Sequence, residues 1–562
     1  MPTGGEIMVE ALKAQNVARV FCVPGESYLP VLAALDGSGI ETVVCRHEGA
    51  AAMAAEATAK LTGHAGVVMV TRGPGAANAM SGVHVARQDS TPLVLFVGLV
   101  ALGMQHREAF QEFDLATTFG GMAKHVELVA DPARLPEVIA RAFALARAGR
   151  PGPVVVGLPE DVLSASVAQE SRPPQRAVAA IPPPDPAPGA EEIRLLIGHL
   201  EEAVRPLIIA GGSRFTPRAR HLLMELAGDL CIPVAVSFRR QMLFDPLHQA
   251  YAGDVGFALN PALKARIRQA DLIILLGTRF SEVPSQGYEL IGIPRPERQR
   301  LVHVHPAAEE LGRVYQPHLA INATPERLLE ALLDALAAPF ARRLTTSANA
   351  RRPHMEAAHA DYLAWSETPP PMAGAVDFGR ILVWLRENLP PDTIVTNGAG
   401  NYALWVHRFW RYRDWATQAA PVSGSMGYGL PAAIAAALAF PGRSVLCFAG
   451  DGCFQMTMQE LATAVQLRLP IRIIVADNGQ YGTIRMHQHR RFPGRDCATT
   501  LHNPDFAALA EATGAAAWRI EKTEDFAPAF RAAGQLTDRP ALFHLRLDPT
   551  ALAPGLNLDE NG

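Results

Sequence analysis

The chain has 562 residues, a formal net charge of -4 and 19% charged residues, enough length for about three domains each with its own core. That balance supplies no large field for nucleic acid or an anionic membrane, and no basic run stands out, so small molecules are the expected partners. No apolar run reaches the ~18 residues of a membrane span. The N-terminus lacks a signal-peptide core and the six cysteines are scattered without a CxxC, so a cytoplasmic enzyme with buried, reduced thiols is expected.

Residues 1–165 read as a first domain. Apolar runs at 20–23, 42–45, 66–70, 93–97 and 154–157 alternate with helical stretches at 49–61 and 76–87, which predicts a parallel, doubly wound α/β sheet. Glu48 stands at a strand end and a helix start, where the helix dipole favours a carboxylate. Residues 166–190 form a linker with seven prolines between Pro173 and Pro188, extended and excluded from a sheet interior. In residues 191–340 the runs PLIIAGG, IPVAVS, ADLIILLGTRF and LVHVHP alternate with helices again, and Gly211-Gly212 is an incomplete dinucleotide cue. A second linker, 341–374, rich in Ala, Arg and Pro, precedes a third domain at 375–548 with a helix at 378–388 and a strand at 393–396, and 549–562 is a tail.

The third domain carries the chemistry. A buried strand at 444–449 breaks at Gly450-Asp451-Gly452, a helix over 454–467 leads through Pro470 to a second buried strand at 471–476, and that strand ends at Asp477-Asn478-Gly479. Two parallel strands joined by a crossover helix present their carboxyl ends on one sheet edge, where ligands of open α/β sheets sit. Asp451 and Asn478, 27 positions apart, therefore converge. One carboxylate, one amide oxygen and the backbone carbonyl just beyond make a hard, all-oxygen, incompletely filled site suited to Mg²⁺. The glycines beside Asp451 let the backbone approach a diphosphate and supply N–H donors at a helix N-terminus.

The GDG, the crossover length and the DN pair together resemble the thiamine diphosphate motif, and GDGCFQMTMQELAT is similar to the acetolactate synthase branch of that family. The chain departs in one letter, with Asp477 where the family usually has asparagine. The resemblance spans nearly the whole chain and implies three doubly wound α/β domains: pyrimidine-binding, central Rossmann-like and diphosphate-binding. It implies that Asp451, Asn478 and the Gln480 carbonyl hold Mg²⁺. Gly398, Ala399, Gly400, Asn401, Gly424, Met426, Gly452, Cys453, Tyr481 and Gly482 contact the cofactor, with Met426 wedged between its rings.

In the first domain, RHEGAAAMA resembles the segment whose glutamate hydrogen-bonds the aminopyrimidine, which nominates Glu48, and TRGPGAAN resembles the loop beside the pyrimidine, which nominates Pro74 and Asn78. FCVPGESYLPVL places Gly25 and Tyr28 near cofactor and substrate, and AFQE places Phe110 and Gln111 by the reacting carbonyl, Gln111 as a second catalytic residue. Arg72 either binds a substrate carboxylate or pairs with a neighbour such as Asp89. Thr483 and His487 stand where synthases selecting 2-oxobutyrate have methionine and tryptophan. That implies a more polar substrate pocket, unless His487 lies on the solvent face of a closing loop with His489, Arg490 and Arg491.

The implied activity is decarboxylation of a pyruvate-like 2-oxo acid with carboligation to a second carbonyl, dependent on thiamine diphosphate and Mg²⁺. The implied assembly is a homodimer or homotetramer whose active sites lie at the dimer interface, Glu48 and Asp451 coming from different chains. The alternatives are a non-ligating 2-oxo acid decarboxylase, a lyase of 2-hydroxy ketones or 2-hydroxyacyl groups, and a flavin-dependent 2-oxo acid oxidase. The central domain resembles the synthases' flavin domain at GTRF and VHVHPAAEELGRVYQPHLAI, but the flavin loop reads GDVGFALNP here, which leaves FAD, ADP and an empty domain open. Finally, NAMSGVHVARQDSTPLVLFVG parallels ELATAVQLRLPIRIIVADN, which predicts that the first and third domains are similar sheets.

Overall fold

A computed structural model describes residues 1–167, 177–336 and 342–558. It contains three six-stranded, all-parallel sheets with helices on both faces. The first holds β1 (Arg19–Cys22), β2 (Glu41–Val44), β3 (Gly66–Val70), β4 (Leu93–Leu99), β5 (His125–Leu128) and β6 (Pro153–Pro159), in the order β2-β1-β3-β4-β6-β5. The second holds β7 (Pro206–Ala210), β8 (Val234–Ser237), β9 (Tyr251–Val255), β10 (Leu272–Leu276), β11 (Arg300–Val304) and β12 (Leu319–Ile321), in the order β12-β11-β10-β7-β8-β9. This is the Rossmann order, with its reversal between β7 and β10. The third holds β13 (Ile394–Asn397), β14 (Gln418–Ala419), β15 (Val445–Gly450), β16 (Arg472–Asp477), β17 (Ala516–Ile520) and β18 (Ala541–Arg546), in the order β14-β13-β15-β16-β18-β17.

The first and third sheets thus share one strand order, so the helix-strand parallel seen in the sequence reflects two copies of one topology. The central strands β3, β4, β6, β7, β10 and β15 are buried along their whole length. This is why they read as unbroken apolar runs without alternation.

The two similar sheets pack against each other within the chain through the alanine-rich helices Glu48–Thr62 and Gly429–Ala439, whose small side chains share one core. Inside that contact Lys60 pairs with Glu56 at 3.2 Å and Asp89 at 2.7 Å, and the Tyr428 hydroxyl donates to Glu56 at 2.5 Å. These charges are almost wholly buried, so the network stands only because each member is partnered.

Three stretches differ from their sequence reading. The helix expected over 454–467 is two, Asp451–Gln455 and Glu460–Gln466, because the Thr457 hydroxyl leaves the helical path to donate to the Gly427 carbonyl at 2.7 Å. The segment 341–374 contains the helix Arg342–Ser366, with Pro353 inside it. The tail forms an antiparallel pair, β19 (Ala551–Ala553) with β20 (Leu556–Asn557). Pro173 and Pro174 of the first linker lie outside the described residues, while its later part is tied to the first domain by Gln15 donating to the Val178 carbonyl at 2.7 Å. Among the described residues no helix is long and apolar enough to cross a membrane.

Candidate active site

In a sheet ordered 2-1-3-4, ligands sit outside the carboxyl ends of the first and third strands, where the order reverses. In the third domain that point lies between β13 and β15, and a cleft of about 280 Å³ opens there. Ala399, Gly400 and Asn401 line it from the end of β13, Asp451, Gly452 and Cys453 from the end of β15, and Asn478 through Thr483 (apart from Gly479) from the end of β16. Gly424 and Met426 close one side. Gly398 stays behind the wall, its N–H donated to the Tyr402 hydroxyl at 3.0 Å. Of the residues nominated in this half, His487 alone is left out and exposed, one helical turn beyond the lining residues Thr483 and Ile484. Thr483 donates to Asn401 Oδ1 at 2.9 Å, so it braces the β13 loop.

The glycines have a steric reason. A Cβ on Gly452 would come within 2.6 Å of the Tyr481 ring, and one on Gly450 within 2.9 Å of the Tyr402 ring. Gly424 is in the left-handed region (φ +70°), with open space where a side chain would stand.

Asp451 is 3% exposed. Burial pushes its carboxyl up to about 6, against the Asn503 amide and the Gly452 N–H, which favour the ionised form. Asn503 Nδ2 donates to Asp451 Oδ2 and to Asp477 Oδ1, each at 2.7 Å, and so holds the two carboxylates side by side. Burial also disfavours ionised Asp477, but the His544 imidazole, Asn503 and the Gly479 N–H together hold its carboxyl below the usual range. His544 Nε2 stands 2.7 Å from Asp477 Oδ2. The departure from the family's asparagine therefore has a structural partner, the buried His544 on the neighbouring strand β18.

Sequence reasoning missed Asn503, which precedes the helix Phe506–Thr513 and its N-cap Asp505 and so reads as an ordinary turn. It also missed the apolar wall of Phe378, Tyr402, Trp405, Leu547 and Leu552, which two helices of the third domain, the residue just after β18 and the tail assemble together.

The first-domain residues gather at the equivalent edge of their own sheet. Glu48 opens its helix and is 9% exposed; Asn78 Nδ2 donates to its Oε2 at 2.9 Å. Oε1 faces Gly75, where a Cβ would come within 3.3 Å of it and 2.9 Å of Thr71 Cγ2, so the glycine keeps space in front of the carboxylate. Gly25 lies against Thr71, a Cβ there meeting Thr71 Cβ at 2.5 Å, and Pro74 sits in the first turn of the helix Gly73–Asp89.

The further nominated residues of this domain are placed as follows. Tyr28 is a core residue, 1% exposed, its hydroxyl spent on the Val23 carbonyl. Arg72 pairs with Glu160 at 3.1 Å, while Asp89 is taken by Lys60. Phe110 is 75% exposed. Gln111, at φ +61°, lines a separate cleft of about 680 Å³ together with Arg72, Leu99 and Phe113. None of Glu48, Pro74, Asn78 and Gln111 lines the cleft of Asp451.

Comparison with known proteins agrees with this division. Residues 2–118 match the thiamine pyrophosphate enzyme N-terminal TPP binding domain, residues 193–332 its central domain and residues 398–545 its C-terminal TPP binding domain. The acetolactate synthase large subunit of Corynebacterium glutamicum is 31% identical over 555 residues, covering 96% of this chain and 86% of that protein. Two Escherichia coli proteins, the large subunits of acetolactate synthase isozymes 2 and 1, are 31% and 32% identical, covering 97% of this chain in each case and 95% and 94% of their own lengths. With three matching domains in the family's order and relatives aligned along almost its entire length, the chain belongs to the thiamine pyrophosphate-dependent enzymes, in the family of the acetolactate synthase large subunits.

Proposed function

We propose that the chain decarboxylates a pyruvate-like 2-oxo acid and ligates the remainder to a second carbonyl, with thiamine diphosphate and Mg²⁺ held between two copies of the chain. The observation that carries this is the cleft of about 280 Å³ at the end of β15, which the Asp451 carboxylate, the Asn478 amide and Gly400, Gly424, Gly450, Gly452 and Gly482 line together. Among the described residues no group of three or more His, Cys, Asp or Glu side chains could hold a metal, and the oxygen set of Asp451, Asn478 and the Gln480 carbonyl suits a cation that keeps water and phosphate in its shell. The cofactor supplies the electron sink for loss of CO₂ and for the new carbon-carbon bond.

The chain's own residues supply the rest. Glu48, held by Asn78, leaves Oε1 to hydrogen-bond the aminopyrimidine and exchange a proton with it. Met426 and the Phe378–Trp405 wall keep water from the reacting centre. Because Glu48 and Asp451 do not share a cleft within one chain, the reading requires a second copy to bring them together. His487 is not proposed as a pocket residue.

A flavin has a poorer case. The cleft beside the β7/β10 reversal, lined by Gly212, Arg240, Thr278, Arg279 and His305, measures about 50 Å³, far below the ~300–1,000 Å³ of sites for drug-sized ligands. Arg240 and Arg279 narrow it by donating to the carbonyls of Asp89 at 2.8 Å and Gln88 at 2.7 Å. The cleft at the reversal is too small for FAD as it stands, a neighbouring cleft of about 460 Å³ shares Gly212, Ser213, Arg214 and Arg240 with it, and no observation favours the oxidase reading. The protein purified under native conditions is expected to show no flavin absorbance in the visible, and stoichiometric bound flavin would reverse this conclusion.

The deciding assay is incubation with thiamine diphosphate, Mg²⁺ and pyruvate, with products followed by proton NMR. Acetolactate is expected. Acetaldehyde as the sole product would turn the assignment to the decarboxylase.

A further inference from the structure

Arg239 is the least expected buried group in the chain. It follows β8 in the central domain, is 4% exposed and adopts a left-handed backbone conformation (φ +57°), uncommon for a residue other than glycine. Its guanidinium lies 4.9 Å from the centre of the Phe238 ring. Unlike Arg240, which reaches toward Asp89 at 3.7 Å, it has no carboxylate within pairing distance among the described residues, and its Nε is buried without a partner. Both terminal nitrogens leave the central domain. Nη2 donates to the Gly398 carbonyl at 2.9 Å, and Nη1 donates to the Pro421 carbonyl.

Those two carbonyls belong to different walls of the cofactor cleft. Gly398 begins the β13 loop, whose next three residues line it, and Pro421 begins the turn that presents Gly424 and Met426. The Gly424 N–H donates to the same Pro421 carbonyl at 3.0 Å, and the next residue, Val422, donates its N–H to Asp89 of the first domain at 2.9 Å. The turn is thus fixed from both other domains. A cation buried without a counter-charge is costly, whereas one behind a loop that receives an anionic diphosphate is electrostatically matched.

We propose that Arg239 is a positioning residue of the cofactor site: a cation lent by the central domain that ties the diphosphate-side loop to the Gly424–Met426 loop and sets the width between them. The proposal rests on the thiamine diphosphate reading above. It assigns the central domain a task in cofactor binding that needs no ligand of its own.

The test uses the full-length protein and titrates thiamine diphosphate at saturating Mg²⁺, read by calorimetry and by the near-ultraviolet circular dichroism of the bound aminopyrimidine. Arg239→Met is expected to weaken binding by about 10–100-fold, the usual cost of losing a group that orients direct ligands, and to alter the dichroism at saturation. Arg239→Lys keeps the charge but loses the two-pronged fork, and is expected to recover part of the affinity. Thermal unfolding without cofactor separates the roles. If both variants melt lower yet bind thiamine diphosphate with wild-type affinity and wild-type dichroism, Arg239 is merely structural and the proposal falls. If Arg239→Met does not fold, Arg239→Lys decides on the same two readouts. Wild-type protein that binds no thiamine diphosphate would remove the underlying reading and the proposal together.

Discussion

Glu48→Gln is expected to lower turnover of a 2-oxo acid by about 10²–10⁴-fold, the range lost when a positioned acid-base group is removed, while leaving thiamine diphosphate bound. The separation follows from where the residue stands. Glu48 lies at the edge of the first sheet with Asn78 on Oε2 and space kept open before Oε1, whereas the proposed diphosphate and metal ligands all belong to the third domain. Glutamine preserves the shape and can still accept from Asn78, but it cannot hold and release a proton. Steady-state kinetics together with a cofactor titration check both halves, and turnover equal to wild type would overturn the mechanism. If the site needs two chains, mixing Glu48→Gln protein with protein altered at Asp451 should restore some activity, because a mixed dimer contains one intact site.

How far the letters reached depends on burial. The central strands were legible because residues such as Leu93–Leu99 and Val445–Gly450 are covered on both faces and read as continuous apolar runs. The edge strands β14 and β17 were not: β14 is two residues, and β17 (AAWRI) is largely half-exposed and carries an arginine, so neither offers a period to read.

The same contrast runs through the site. Asp451, Asn478 and the glycines sit at strand ends within one crossover unit, so local spacing placed them. Asn503, the Tyr402–Trp405 wall and the β19–β20 cover come from segments far apart in the chain, and only the closed fold brings them to the cleft. His487 is a residue for which the sequence left two places open. Of the pocket and the solvent face, the helix Gly482–Arg491 gives it the solvent face within one chain and buries Met486.

Asp451→Asn carries the other large effect. The substitution keeps the size and the contact to Asn503 but removes the one carboxylate among the three proposed Mg²⁺ ligands. Groups that merely orient metal ligands cost about 10–100-fold when lost, so losing the charged ligand is expected to weaken Mg²⁺-dependent binding of thiamine diphosphate by more than ~100-fold. Asn503→Ala should fall within the smaller range, since Asn503 Nδ2 bridges Asp451 and Asp477 from behind. Differential scanning fluorimetry reads the difference directly. A ligand at about 100 times its Kd stabilises the folded state by about 2.7 kcal/mol, so thiamine diphosphate with Mg²⁺ should raise the melting temperature of wild-type protein, a chelator should abolish the rise, and Asp451→Asn should show none at the same concentrations. A full, chelator-sensitive rise in Asp451→Asn would mean that the metal is held elsewhere. The cleft at β15 would then have to bind its diphosphate through backbone N–H groups alone.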